Sequence, residues 1–148
     1  MESAAQFTRE RPRARPVPGV EQATGDPFTQ TLLGEGHAEA DAAAALVHTA
    51  ARELDAAFAA GPLSEDAEAA LTSRALSAFD LASRVALAQG ERVWEVVGTS
   101  GSSRSLGFEH AWTVARTVSL RHPRAERRRT IAKGYLAWLV PHRAQVAA

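Results

Sequence analysis

Apolar residues recur at helical spacing along most of the chain, and punctuation residues cut the pattern into four segments. Asp26-Pro27 starts the first: an N-cap acid precedes proline at the first helical position, where the missing N–H costs nothing. Phe28, Leu32, Ala42, Leu46, Ala50, Leu54 and Phe58 then keep near-helical spacing up to the stop at Gly61-Pro62. Unbroken, that helix is about 50 Å long at ~1.5 Å per residue. Gly34 and Gly36 mark either a kink in it or the close approach of another backbone. Ser64 caps a second long helix, with Glu65, Asp66 and Glu68 well placed in its first turns. Its stripe is Leu71, Ala75, Ala78, Ala82, Val85, Gln89, Val93 and Val97, widened by Ala86, Trp94 and Val96, so it packs on two sides.

Gly98 ends the second helix. The third spans about Gly107 to Leu120 and stops at Pro123. The fourth spans about Arg124 to Leu139, with Ile131, Tyr135, Trp138 and Leu139 apolar and Pro141 beyond. No segment alternates as a half-buried strand does, so the fold class is all-α, an antiparallel helical bundle over residues 26–140. Residues 141–148 read as a tail. Residues 1–25 alternate Pro12, Pro16 and Pro18 with Arg9, Arg11, Arg13 and Arg15, and hold too little apolar surface to offset ordering entropy. They read as a disordered, solvated arm.

Composition agrees with helices. Hydrophobic residues make up 45% of the 148, much of it alanine, while aromatic residues are 6%. Alanine is the best helix former and a poor strand residue. With no cysteine there is no disulfide, thiolate metal site or cysteine nucleophile. No apolar run approaches the ~20 residues of a membrane span, and no signal-peptide core opens the chain. The expected setting is cytoplasmic, without a membrane partner. The net charge of zero conceals a division: an acidic middle, with thirteen acids and four bases over residues 19–100, precedes nine bases and two acids over 101–148. Opposite charge of this kind favours attraction within a monomer or between subunits.

The candidate chemistry centres on Gly98 to Pro123. Gly98, Thr99, Ser100, Gly101, Ser102 and Ser103 gather backbone N–H groups and hydroxyls beside a helix start, which suits a phosphate or a flavin edge and equally a plain polar connection. Trp112 and Arg116, four residues apart, share a face of the following helix. Among the five histidines, His37 and His48 stand about 16 Å apart along their helix, too far for one metal. With no Glu-x-x-His or His-x-x-x-His pair, no metal site is expected, and His48 fits a partly buried helix position. Arg124, Arg127, Arg128, Arg129 and Lys133 spread around the last helix. They fit a solvated or subunit-contacting face opposite the acidic second helix; no DNA-reading motif accompanies them, and no nucleic-acid partner is expected.

Over residues 26–140 the chain resembles the C-terminal domain of the acyl-CoA dehydrogenase family, most of all its flavin-dependent monooxygenase branch. The likeness is most specific at Gly98-x-x-Gly101 and at Gly107-Phe-Glu-x-x-Trp112-x-x-x-Arg116-Thr117. In that family a glycine-rich turn precedes an acid-x-x-Trp-x-x-x-Arg helix and comes close to the flavin or to a neighbouring subunit's cofactor. The resemblance implies that Gly98, Thr99, Ser100, Gly101, Ser102 and Ser103 face FAD or FMN, that Arg116 holds the helix in place, and that the bundle forms oligomers. Where ordinary members place a catalytic glutamate, this chain has His122, which could serve as a proton donor or base. The monooxygenase branch typically has histidine two residues before the proline, a slot taken here by Arg121.

The family's N-terminal helical domain and β-domain have no counterpart here. The resemblance therefore implies a C-terminal-type helical subunit or fragment that completes a flavin or substrate pocket on a larger partner chain. The alternative is a catalytically silent helical module for oligomerisation or interaction.

Overall fold

The computed structural model describes residues 2–9 and 12–146, with side chains for 2–9 and 18–139. The chain runs α1 (Glu2–Arg9), β1 (Pro12–Val17), β2 (Val20–Gln22), α2 (Pro27–Ala60), α3 (Glu65–Val97), α4 (Phe108–Ser119) and α5 (Arg124–Val146). The four helices expected from periodicity are α2 to α5, and they start where their caps place them. Asp26 is buried and accepts from the Thr29 hydroxyl at 3.2 Å. Ser64 Oγ accepts the Ala67 N–H at 3.3 Å. α2 is continuous through Gly34 and Gly36 for 34 residues.

Two departures lie at the ends. Residues 2–9, expected within a disordered arm, form α1, with Ala4 fully buried and Phe7 edge-on to Phe108 at 5.7 Å. A segment this poor in apolar surface folds because it adds two side chains to a core other helices have already built. Residues 12–22 form a small antiparallel hairpin, pairing Pro12 with Gln22 and Val17 with Val20. At the other end α5 continues through Pro141 to Val146, where a tail was expected. A proline removes one N–H from the ladder, and here the helix continues past it. Met1, Glu10, Arg11, Ala147 and Ala148 lie outside the described residues.

The chain divides into two compact units, Met1–Ala42 with Arg84–Val118, and Ala43–Ser83 with Ser119–Ala148. In the first, Ala4, Val93, Val97 and Phe108 form the core, flanked by Phe7, Trp94 and Val96. Trp94 meets the Phe108 ring at 6.5 Å, again edge-on. There α2 and α3 are joined by polar contacts as well. Arg92 grips Glu39 with both terminal nitrogens, at 2.7 and 3.2 Å, and Gln89 donates to the Gly36 carbonyl at 3.0 Å. The hydrogen bond from Arg92, opposed by partial desolvation, holds the Glu39 carboxyl below its ordinary range.

In the second unit, Arg74 pairs with Glu53 at 3.1 Å across α2 and α3. α5 approaches α3 closely where glycine meets serine: a Cβ on Gly134 would collide with the Ser73 side chain. Several residues of the expected apolar stripe of α2 are left uncovered. Phe28 is 59% exposed and Phe58 73%. Amphipathic spacing states that a face is apolar; it does not name the molecule that covers it.

Gly134→Ala should lower stability by about 1–2 kcal/mol, because overpacking outweighs alanine's helix advantage. Combining it with Ser73→Gly should recover part of that loss. Urea unfolding of both singles and the double measures the coupling, and strict additivity would show that this contact does not set the α3–α5 spacing.

Candidate functional site

The turn between α3 and α4 belongs to the first unit and is built as two successive 3-10 turns, Gly98–Ser102 and Arg104–Leu106. Gly98 at φ +60° ends α3 in the left-handed conformation, and Gly107 at φ +69° closes the second turn before α4 begins. The Gly107 N–H donates back to the Arg104 carbonyl at 3.2 Å, and the His110 N–H donates to the Gly107 carbonyl at 3.1 Å. Gly101 is the buried floor. Its backbone lies on Val97, so closely that a Cβ would clash, and Phe108 lies just beyond.

The hydroxyl-bearing residues stand outward. Thr99, Ser100, Ser102 and Ser103 are all exposed. The Ser102 hydroxyl donates to the Thr99 carbonyl at 2.8 Å, and Ser103 and Ser105 share a hydrogen bond of 2.8 Å. The turn therefore presents a hydroxyl-rich outer surface on an apolar floor. Arg116 is exposed in the last turn of α4. Trp112, one turn earlier, lies over Gly90 of α3, where its indole occupies the space a Cβ would need.

His122 belongs to the second unit, at the break before α5. It is half-buried, with Nδ1 at 3.3 Å from the Pro123 carbonyl. If Nδ1 donates that bond, Nε2 is the ring nitrogen left to accept or release a proton.

Beside His122 lies a pairing with Asp80 that the sequence pattern did not single out. Arg127, 2% exposed, donates from Nε to Asp80 Oδ1 at 3.0 Å, and its Nη2 lies 2.9 Å from the same oxygen. Its Nη1 donates to the His122 carbonyl at 3.3 Å, and its guanidinium carbon lies 4.7 Å from the Phe79 ring centroid. Arg128 Nη2 donates to Asp80 Oδ2 at 3.4 Å. Burial pushes the Asp80 carboxyl up, but the hydrogen bonds from Arg127 and Arg128 outweigh it and hold it below its ordinary range. Arg127 thus leaves the solvated basic face expected for it. Its signal was Asp80, an acid set between Phe79 and Leu81 within an apolar stretch. His48, expected to be partly buried, is exposed. Among the described residues no group of three or more His, Cys, Asp or Glu could hold a metal, and no helix is long and apolar enough to cross a membrane.

No family model matches the chain. It is 32% identical over 124 residues to a dibenzothiophene monooxygenase of Mycolicibacterium goodii, a match that takes in 83% of this chain and 30% of that protein. A dibenzothiophene monooxygenase of Rhodococcus erythropolis is 30% identical over the same length. FMN-bound TdsC from Paenibacillus sp. A11-2 superposes with a TM-score of 0.83 at 28% identity, over 95% of this chain and 34% of TdsC. The homologues of this chain are acyl-CoA-dehydrogenase-like flavin monooxygenases. The helical-bundle fold and the family resemblance read from the glycine-rich turn both stand. The chain spans about a third of the length of the homologues it matches.

Gly98→Ala should cost about 1 kcal/mol, since an L side chain resists the left-handed region. Thermal unfolding checks it; an unchanged midpoint would mean the turn relaxes without loss. Asp80→Asn leaves Arg127 buried without its charged partner, a change that costs about 3–5 kcal/mol. Because the folded Asp80 carboxyl is held low, its contribution is complete above the usual carboxylate range and is lost as pH falls through its folded value. Urea unfolding should therefore show a wild-type advantage that is large at neutral pH and shrinks below about pH 4. A pH-independent difference would show that the charge of Asp80 is not what stabilises Arg127.

Proposed function

We propose that this chain is a C-terminal-type helical subunit or fragment of a flavin-dependent monooxygenase, acting with a partner chain that supplies the rest of the enzyme. The observation that carries this is the superposition of 95% of the chain on FMN-bound TdsC at a TM-score of 0.83. The residues fit one wall of a flavin site. Thr99, Ser100, Ser102 and Ser103 offer exposed hydroxyls and Gly98 a close backbone approach, while Gly101 shapes the turn from beneath. These groups would hold the polar edge or phosphate of FMN or FAD, with Arg116 keeping α4 in register. A bound flavin supplies the redox chemistry, which no side chain here can perform. His122 is the group assigned to move a proton, at Nε2.

Association belongs to the same reading. Trp112, Val118, Leu120, Tyr135, Leu136 and Trp138 are exposed apolar side chains suited to subunit contact, in a homo-oligomer or with a larger flavoprotein subunit. A cytoplasmic location, expected from the sequence, goes with it.

Co-expression with the Mycolicibacterium goodii enzyme lacking its matching 124 residues tests the proposal. Flavin absorbance should co-purify with the pair and not with this chain alone. His122→Gln in the pair should keep the flavin and lower turnover by about a hundredfold or more, as loss of acid–base assistance does. If a stable complex forms, holds no flavin and ignores His122→Gln, the chain is a silent interaction module.

A further inference from the structure

We propose that Arg127, anchored by Asp80, is the positioning residue for the His122 imidazole; this rests on the assignment of His122 as the proton-transfer group. Three constraints converge on residues 122 and 123. The proline ring fixes φ at Pro123 and pushes His122 toward extended backbone. The Arg127 N–H donates to the Pro123 carbonyl at 3.0 Å, as the first bond of α5. The Arg127 side chain then turns back and donates from Nη1 to the His122 carbonyl at 3.3 Å. One residue therefore holds both carbonyls of the break, one through its backbone and one through its guanidinium.

That guanidinium is itself immobilised. Two of its nitrogens meet Asp80 Oδ1, at 3.0 and 2.9 Å, and Asp80 is steadied on its other oxygen by Arg128 at 3.4 Å. Phe79 packs 4.7 Å from the guanidinium carbon. The anchor belongs to α3, so the backbone at His122 is referenced to a helix distant in sequence. With the backbone fixed, the direction of the His122 Cα–Cβ bond is fixed, and the ring keeps two rotatable bonds. Its Nδ1, 3.3 Å from the Pro123 carbonyl, engages the same oxygen that the Arg127 N–H holds. Lysine cannot reproduce this: its single ammonium lacks the planar fork needed to serve Asp80 and a carbonyl together.

The test uses the full chain with isotope-labelled histidine, the His122 ring signal being assigned by its loss in His122→Gln. Arg127→Lys keeps a cation beside Asp80 and gives up the fork's simultaneous bond to the His122 carbonyl. It should fold, while the His122 signal shifts and broadens as the ring samples several rotamers and the other histidines stay in place. Asp80→Asn, which loosens the guanidinium without touching Arg127, should give the same signature by an independent route. A His122 signal unchanged in both variants, in protein shown folded by circular dichroism, overturns the proposal and leaves Arg127 a packing residue.

The reconstituted flavin complex separates this from the assignment of His122. Arg127→Lys should lower kcat by roughly tenfold with KM unchanged, as a misaligned catalytic group does. An unaltered kcat in Arg127→Lys beside an impaired His122→Gln also overturns the positioning role. Normal turnover in His122→Gln sinks the assignment of His122 itself, and the positioning role with it, even if the ring signal moves.

Discussion

A guanidinium withdrawn from water must be paired, and the second unit is organised around that requirement. Arg127 is buried, always charged, and carries five donors in a rigid fork. An unpaired cation there would cost several kcal/mol, so Asp80 must lie opposite it and remain ionised. This fixes the rotation of α5 against α3 at that level. The close meeting of Gly134 with Ser73, two turns along α5, then holds the same two helices at short range. A third donor of the fork is spent on the backbone where α5 begins, so the charge pair also decides where His122 stands.

The first unit relies on packing, with Phe108 near its centre. Phe7 and Trp94 meet this ring edge-on, and Val93, Val97 and Ala4 complete the core around it. Phe108 is also the first residue of α4, directly after the left-handed Gly107. The hydroxyl-rich turn is thus pinned at both ends: Val97 finishes α3 and Phe108 opens α4, with Gly101 resting on them. A polar turn fixed in this way can meet a ligand without ordering itself first, which lowers the entropic cost of binding. The charged clamp of Arg92 on Glu39 and the packing of Trp112 on Gly90 add further contacts of α3 in this unit.

The homologous flavin monooxygenases match this chain over about a third of their own length. On the function proposed above, such a portion contributes one wall, the proton-transfer group and a set of helices, and a partner chain supplies the remaining walls of the pocket. The apolar side chains left exposed on α2, α4 and α5 agree with that division of labour, because uncovered apolar surface favours association.

Residue order alone determined the four main helices and their starts, since Asp26-Pro27, Ser64, Gly107 and Pro123 act through local backbone chemistry. The resemblance to the homologues' family was legible too, in the glycine-rich turn and the Trp112–Arg116 spacing. The structure decided what depends on neighbours distant in sequence. α1 gains its order from Phe108, a residue a hundred positions away, so its own composition could not announce it. Arg127 sits in a run of arginines, and only the approach of α3 shows which of them turns inward to Asp80. The exposure of Phe28 and Phe58 follows the same rule: periodicity marks a face as apolar, and the three-dimensional arrangement alone decides whether anything covers it.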